Sequence, residues 1–526
     1  MKSNNPHTFD EENISLIQNE LLDWYRQNKR DLPWRRAALT DNKQQHAYAV
    51  WVSEIMLQQT RVATVIDYYK KWMLKWPTVH DLAKANMEEV NQVWAGLGYY
   101  SRARRLHEGA CKVVKDFNGQ IPENATDLMK LIPGVGRYTA AAIASIAFNE
   151  SVGVLDGNVI RVISRLLTIG GDVSSKNVTH HLWDQVDKII PSDQPGDFNQ
   201  AMMELGALVC MPKNPVCSRC PLRSVCKGYK EVENYKKTNT ISASNLLLGK
   251  NNNKNKRKAS ADGDNSKIPK RVKVEIEELK SINVDDIESC TISFLKFPDD
   301  KPWLPALGVM NYPRKADKKP PRQDIALLSV VELKHVDNES KMLVTQRPDT
   351  GLLAKLWEFP TLTLNAEQVA HKSFKKHFSE KGTHPTKHTT NYISENTDGM
   401  LEKYLSGLVI KSRSHVGELT HVFSHIHLRY IMEHIIVSPD ENKTHSDISK
   451  QGAENWKWVL KSDLASWAMS SAMHKILKIC EPNNSKKCQK PEIAKKNNKN
   501  QVKLDFFFKP KLRSIKKEKD ITIKQE

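Results

Sequence analysis

Residues 131–148 read LIPGVGRYTAAAIASIAF, and this stretch decides the fold. Pro133 ends whatever helix precedes it, because its ring removes a backbone donor and crowds the turn before it. Gly134 and Gly136 permit a tight hairpin with positive φ. From Tyr138 onward the alanine-rich run is strongly helical. The expected product is a helix, a glycine hairpin and a second helix. Backbone N–H groups exposed at the hairpin and at the new helix N-terminus form a nest for one phosphate. Taken alone, the stretch also suits an ordinary pair of helices in an all-α core.

Working outward, Asp156 follows in VLDGNVIRV, and then Cys210, Cys217, Cys220 and Cys226 in CMPKNPVCSRCPLRSVC. Half of the chain's eight cysteines sit in that segment. A C-x6-C-x2-C-x5-C spacing brings four thiolates within reach of one metal centre. It is neither the paired C-x2-C of a zinc ribbon nor the ferredoxin run. On spacing alone, a structural zinc site and an iron–sulfur loop both stay open.

The chain has 526 residues, enough for two or three domains. Its net charge of +19 favours a polyanionic partner and salt-dependent affinity, although charge alone does not name DNA. No apolar run approaches the ~20 residues that cross a bilayer, so no membrane role is expected. The first residues, MKSNNPHTFDEENIS, lack the apolar core of a secretory signal. They are also acidic and Arg-free, so a mitochondrial location has no clear transit peptide behind it. Reduced intracellular thiols are then available for metal.

Composition divides the chain. Residues 1–10 read as disordered, and 11–235 as an all-α domain with few strand signals. Residues 236–285 are rich in Asn, Lys and Ser and read as a linker. Within them, Lys256-Arg257-Lys258 and Lys270-Arg271-Val272-Lys273 have the spacing of a bipartite nuclear import signal, so a nuclear location is expected. Residues 286–480 carry β-branched runs at 325–333, 341–345 and 430–437 and a helical stretch at 463–479, which marks an α+β domain. Residues 481–526 form a basic tail, expected to be disordered.

Seven blocks stand in one order: PWR (33–35), VWVSEIMLQQTRV (50–62), WAGLGYYSRARRLH (94–107), LIPGVGRYTA, VLDGNV, FNQAMMELGALVC (198–210) and the cysteine loop. Together they resemble the MutY-type adenine DNA glycosylases of the helix-hairpin-helix, iron–sulfur base-excision repair family. The resemblance implies removal of adenine from A:8-oxoguanine or A:G mispairs in double-stranded DNA. It also implies a 4Fe-4S cluster on Cys210, Cys217, Cys220 and Cys226. Farther on, LVTQRPDTGLLAKLWEFP (343–360) and Phe423-Ser424-His425 resemble the family's Nudix-like domain. No R-E-x-x-E-E core follows Gly351, so that fold is expected without pyrophosphatase chemistry.

A base stacked in a duplex must be flipped out before a side chain reaches it. Breaking the N-glycosidic bond builds positive charge on the sugar, and two carboxyl groups can divide the work. Resemblance gives adenine N7 protonation to Glu54 and C1′ stabilisation or capture to Asp156, with Asn158 positioning Asp156. On the residues alone, Glu54 also suits the polar face of an amphipathic helix, and Asp156 suits a helix N-cap. Tyr138 stands where strand-cleaving relatives carry a lysine, and a phenol forms no Schiff base. The implied enzyme is monofunctional; the alternative is a broader endonuclease-III-like glycosylase/AP lyase on oxidised bases.

By the same resemblance, Trp34, Arg35 and Gln200 line the adenine pocket. Leu57, Gln59 and Tyr99 wedge into the base stack. Gly134 and Gly136 hold a phosphate, and Phe423, Ser424 and His425 read the lesion. Lys213, Arg219, Arg223 and Lys227 are expected to face phosphate. Cys290 stands alone in the connector, so no zinc site is assigned there, and the linker is left as a surface for other repair factors. In the tail, QVKLDFFF places Gln501, Leu504, Phe507 and Phe508 in the spacing of the sliding-clamp (PCNA) binding motif.

Overall fold

A computed structural model describes residues 5–36, 42–249, 295–297, 302–314, 320–334, 340–370, 387–423, 425–440 and 452–480. Ser424, Cys290, both basic clusters and the clamp motif lie outside these residues.

The first part of the chain is helical, as its periodicity implies. The hairpin helix Arg137–Phe148 is the centrepiece, with Ala140, Ala141, Ala142 and Ala144 buried. Such small side chains let neighbours approach closely, and Lys43–Leu57 and Pro195–Leu208 pack against it on separate sides. On one side Trp72 stands edge-on to Trp76 and Trp94, with ring centroids 4.8 and 5.6 Å away. Each such ring removes roughly 150–250 Å² from water. On the other side Ile17, Leu21, Val159, Ile163, Phe198 and Leu205 form a second apolar cluster.

Three expectations about organisation need correction. Residues 5–10 are packed, not loose. Phe9 is buried, its N–H donates to Gln185 Oε1 (3.0 Å), and His7 Nδ1 lies 2.9 Å from the Leu167 carbonyl. One buried aromatic in a polar segment leaves no periodic trace to read. Next, the helix Lys227–Gly249 runs well into the stretch taken as linker. Lastly, residues 295–297 and 302–314 pack on the helical domain instead of opening the second one. The Leu295 carbonyl accepts from Gly170 and Gly171 N (2.8 and 3.0 Å), and Arg165 Nε donates to the Tyr312 carbonyl (3.1 Å).

The second domain is built on one sheet. Its strands are β1 Arg322–Lys334, β2 Ser340–Gln346, β3 Trp357–Glu358, β4 Thr361–Thr363, β5 Leu408–Val422, β6 Ile426–Pro439, β7 Gly452–Ala453 and β8 Trp456–Leu460. The order is β5-β6-β1-β2-β8-β7, with β3 on β2 and β4 on β1. β1 and β6 run parallel and the other pairs antiparallel. No strand was expected at β5: its polar, half-exposed residues give no apolar run, and pairing with β6 supplies what composition does not. The helix Lys387–Leu401 is tied to the sheet by buried Glu433. That carboxylate accepts from Ser329 Oγ (2.5 Å), Thr397 Oγ1 (2.9 Å) and Arg413 Nε (2.7 Å).

The two domains share an apolar cluster in which Trp94, Leu97 and Tyr100 join Leu356, Trp357 and Met469. Arg104 Nη1 also donates to the Asp349 carbonyl (3.0 Å). No helix among the described residues is long and apolar enough to cross a membrane.

Candidate active site

Glu54 lies in the last turns of Lys43–Leu57, inside an unbroken buried run from Ala47 to Met56. The helix is not amphipathic there, and Glu54 is only 6% exposed, so the surface-carboxylate alternative is excluded. Burial pushes its pKa up to about 7, and the nearby Asp156 charge pushes the same way. A hydrogen bond from Tyr138 opposes them: the phenol donates to Glu54 Oε2 at 2.5 Å. Tyr138 sits in the first turn of the hairpin helix, and its hydroxyl also lies 3.3 Å from Met203 Sδ.

Asp156 is the N-cap of Gly157–Leu166, so the capping alternative is correct as far as structure goes. Its Oδ1 accepts from Asn158 N (2.9 Å) and Val159 N (2.8 Å), and its Oδ2 from Asn158 Nδ2 (2.8 Å). Burial raises its pKa, against those hydrogen bonds and the Arg161 charge. Capping occupies one oxygen more than the other, and Asp156 still lines a cavity of 760 Å³ shared with Glu54, Tyr138 and Asn158.

Trp34, Arg35, Gln200, Leu57 and Gln59 line that same cavity, brought together from three segments of the chain. Tyr99, Phe423 and His425 do not; they line a second groove of 840 Å³ between the two domains. Neither cavity includes Gly134 or Gly136. Only Gly134 has positive φ (78°), and a Cβ there would meet Arg105 Cβ at 2.6 Å. Gly136 is the extended N-cap of the hairpin helix (φ −94°), so the expected positive φ holds at one glycine of the two.

The four cysteines line an apolar pocket with Val162, Leu166, Leu205, Val209 and Tyr229, closed by Val309 from the connector. Burial, and then the other cysteines, push Cys217 up and both Cys220 and Cys226 to about 12, with nearby backbone and cations opposing. Thiols crowded this closely can ionise together only around a cation. No group of three ligand side chains among the described residues converges as a single ion requires. Arg165 Nη1 reaches Cys210 Sγ at 3.3 Å. Arg161 donates to the Cys210 carbonyl (2.7 Å) and to Asn158 Oδ1 (2.8 Å), so the loop and the Asp156 turn lean on one side chain. Lys227 does not face outward to phosphate. Its Nζ donates to the Pro6 and Thr8 carbonyls (2.9 Å each), while Lys213, Arg219 and Arg223 are exposed.

Sequence reasoning missed Glu204. Arg30 Nε and Arg35 Nη2 donate to it at 2.7 and 2.9 Å. Burial pushes its pKa up, but the Arg30 and Arg35 hydrogen bonds outweigh burial and hold it at about 2. Arg35 is thereby aimed, and its Nε donates to Gln200 Oε1 (3.0 Å). Glu204 stands one helical turn after Gln200, which was its one available signal.

Residues 52–188 match the HhH-GPD superfamily of base excision DNA repair proteins, and residues 334–479 match the NUDIX domain. A helix-hairpin-helix fold with one buried and one half-buried carboxyl group on the same cavity, followed by a Nudix-like domain, defines a base-excision DNA glycosylase. The adenine DNA glycosylase of Rattus norvegicus is 40% identical over 95% of this chain and 87% of its own length. That of Homo sapiens is 40% identical over 96% and 82%, and that of Arabidopsis thaliana 35% identical over 89% and 65%. The chain belongs to the adenine DNA glycosylase family, and its activity is adenine-specific base excision from DNA.

Proposed function

We propose that this enzyme excises adenine opposite 8-oxoguanine or guanine as a monofunctional glycosylase, with Glu54 as proton donor and Asp156 as the carboxylate beneath the sugar. The observation that carries the reading is the Tyr138–Glu54 hydrogen bond inside the cavity shared with Asp156. A buried acid with a pKa of about 7 still holds its proton near neutrality. It delivers that proton to N7 as the C1′–N9 bond breaks, and the electron pair leaves with the base. Asp156, held by its cap, answers the charge that grows on C1′. Water then adds to C1′ and gives up its surplus proton to solvent, and Tyr138, standing where strand-cleaving relatives carry a lysine, forms no Schiff base.

The four cysteines fit an iron–sulfur cluster, because a cluster takes one thiolate at each iron and needs cysteines around a cavity. When bound, it would compensate the buried thiolates and brace the exposed Lys213, Arg219 and Arg223 for phosphate. The second groove, with Tyr99, Phe423 and His425 on its walls, suits the base opposite adenine; Ser424 stands between the last two in sequence. Gln501, Leu504, Phe507 and Phe508 are proposed to bind the replication clamp, and the basic clusters to direct the enzyme to the nucleus.

Single-turnover reaction on an A:8-oxoguanine duplex tests the reading. Adenine release, with strand breakage only after alkali, is expected. Breakage without alkali, with a borohydride-trapped adduct, would replace it with the glycosylase/lyase alternative.

A further inference from the structure

Arg102 lies in SRARR, where a run of cations suggests contact with DNA, yet it is 8% exposed. Its guanidinium is spent on the chain's own backbone. Nη1 donates to the Ile55 and Met56 carbonyls (2.9 Å each) and to the Gln58 carbonyl. Nη2 donates to the Gly98 carbonyl (2.9 Å), to the Leu97 carbonyl (3.4 Å) and to Thr60 Oγ1 (3.2 Å). Nε points to the Tyr99 carbonyl (3.4 Å). The plane also lies over the Trp94 and Tyr99 rings, 5.1 and 5.5 Å from their centroids.

Two loops are therefore joined through one side chain. The first leaves the Glu54 helix at Leu57 and carries Gln59; the second carries Tyr99. Gln59 (φ 58°) and Tyr99 (φ 49°) both hold left-handed backbone, which ordinary residues avoid. Such backbone persists only where its surroundings over-determine it. Arg102 bonds the carbonyls just before both residues, Gln58 O and Gly98 O, so it fixes the peptide planes that set those angles. The Ile55 and Met56 carbonyls are unsatisfied acceptors of a helix end, which a cation suits. Burial lowers the Arg102 pKa to about 10, so it stays charged in neutral solution.

We propose that Arg102 is a positioning residue that locks the Leu57–Gln59 and Tyr99 loops into one rigid double wedge, ready before DNA arrives. This rests on the proposed role of Leu57, Gln59 and Tyr99 in the base stack. Preorganisation matters here because a loop that must first be ordered on DNA weakens extrusion of the base. A lysine cannot substitute: a point charge has no planar fork to span both loops.

The test uses the full-length enzyme carrying Arg102→Lys. Single-turnover adenine excision should fall about 10²-fold. Fluorescence of 2-aminopurine beside the target should show less extrusion at saturating enzyme. Hydrogen exchange should rise at 57–60 and 97–99 and stay native in the hairpin helix. The pH at which excision declines should not move, because the groups acting on the Glu54 carboxyl are Tyr138, Asp156 and Arg35, with Arg102 not among them. Native excision and extrusion in Arg102→Lys overturn the proposal, and so does faster exchange throughout the helical domain with a shifted pH profile. Leu57→Ala and Tyr99→Ala are measured beside it. If they extrude normally, the wedge reading fails and takes this role with it; if they fail and Arg102→Lys does not, only the Arg102 role is lost. Should Arg102→Lys not fold, Thr60→Val keeps the guanidinium and removes one acceptor. It should then loosen 57–60 and leave 97–99 native, and no change at either loop overturns the proposal.

Discussion

The two large cavities have similar volumes, 760 and 840 Å³, and opposite construction. The first lies within the helical domain and gathers buried ionisable groups on rigid helices. The second lies between the domains and is walled by turns and rings, with Tyr99 47% exposed. Its Asp349 is already paired with Lys355 at 2.7 Å. Proton transfer needs a dry site where a carboxyl group keeps its proton, and one domain's core provides that. Reading a base needs shape and adaptable contacts, which two meeting surfaces provide. Under the proposed function, bond breaking belongs to the first cavity and recognition to the second, and mutations should separate them.

The strongest break comes from Asp156→Asn. Asparagine caps a helix as well as aspartate does, so the exchange removes charge and keeps the turn. Single-turnover adenine release should fall about 10³-fold or more, with duplex affinity nearly unchanged. Equal loss of binding and release would return Asp156 to a purely structural role.

Glu54→Gln should lose about 10²–10³-fold, since an amide delivers no proton. In the wild type, excision should decline as pH rises through about 7, where Glu54 ionises. A flat profile from pH 6 to 8 would remove it as the donor. Stability follows the same linkage. The folded pKa lies above the ordinary 4.5, so the stability from protonated Glu54 is fully present below that value. It is lost as pH rises from 4.5 to about 7, so the melting temperature of wild type should drop against Glu54→Gln across that window.

In the second cavity the effects should be smaller and of another kind. Joint Ser424→Ala and His425→Ala should cut preference for 8-oxoguanine over guanine about tenfold, the worth of one good hydrogen bond. Excision opposite guanine should hardly change. Unaltered discrimination would detach lesion reading from this loop. Least of all, Phe507→Ala with Phe508→Ala should leave excision on short duplexes native and abolish clamp binding. Calorimetry with a 495–515 peptide tests this, and binding that survives the double substitution would refute the motif.

How far the sequence reads depends on how local each feature is. Glu54, Tyr138, Asp156 and the four cysteines stand in contiguous motifs, because each needs a particular helix turn or loop immediately around it. Trp34, Arg35 and Gln200 were legible for the same reason. Glu204 was not, since its partners Arg30 and Arg35 lie far away in the chain and reach it only once the helices pack. Nor was Arg102: its neighbours in sequence are basic, and only the fold reveals that carbonyls accept from its guanidinium. Residues 5–10 read as loose polar chain, and 295–314 as part of the second domain, because single anchors such as Phe9 and Leu295 carry no period.

The sequence by itself determined the helix-hairpin-helix and the order of the domains, and it picked out the residues proposed for the chemistry and the four cysteines proposed to hold a cluster. These rest on short-range constraints: a proline stop, a left-handed glycine, a cap, a thiol spacing. Only the tertiary structure decided which groups are dry, and hence that Glu54 titrates near neutrality while Glu204 is held at about 2. It alone placed residues 295–297 and 302–314 on the helical domain and made one arginine the joint between two loops. Burial and long-range pairing are properties of packing, and packing sums over residues that no local window contains.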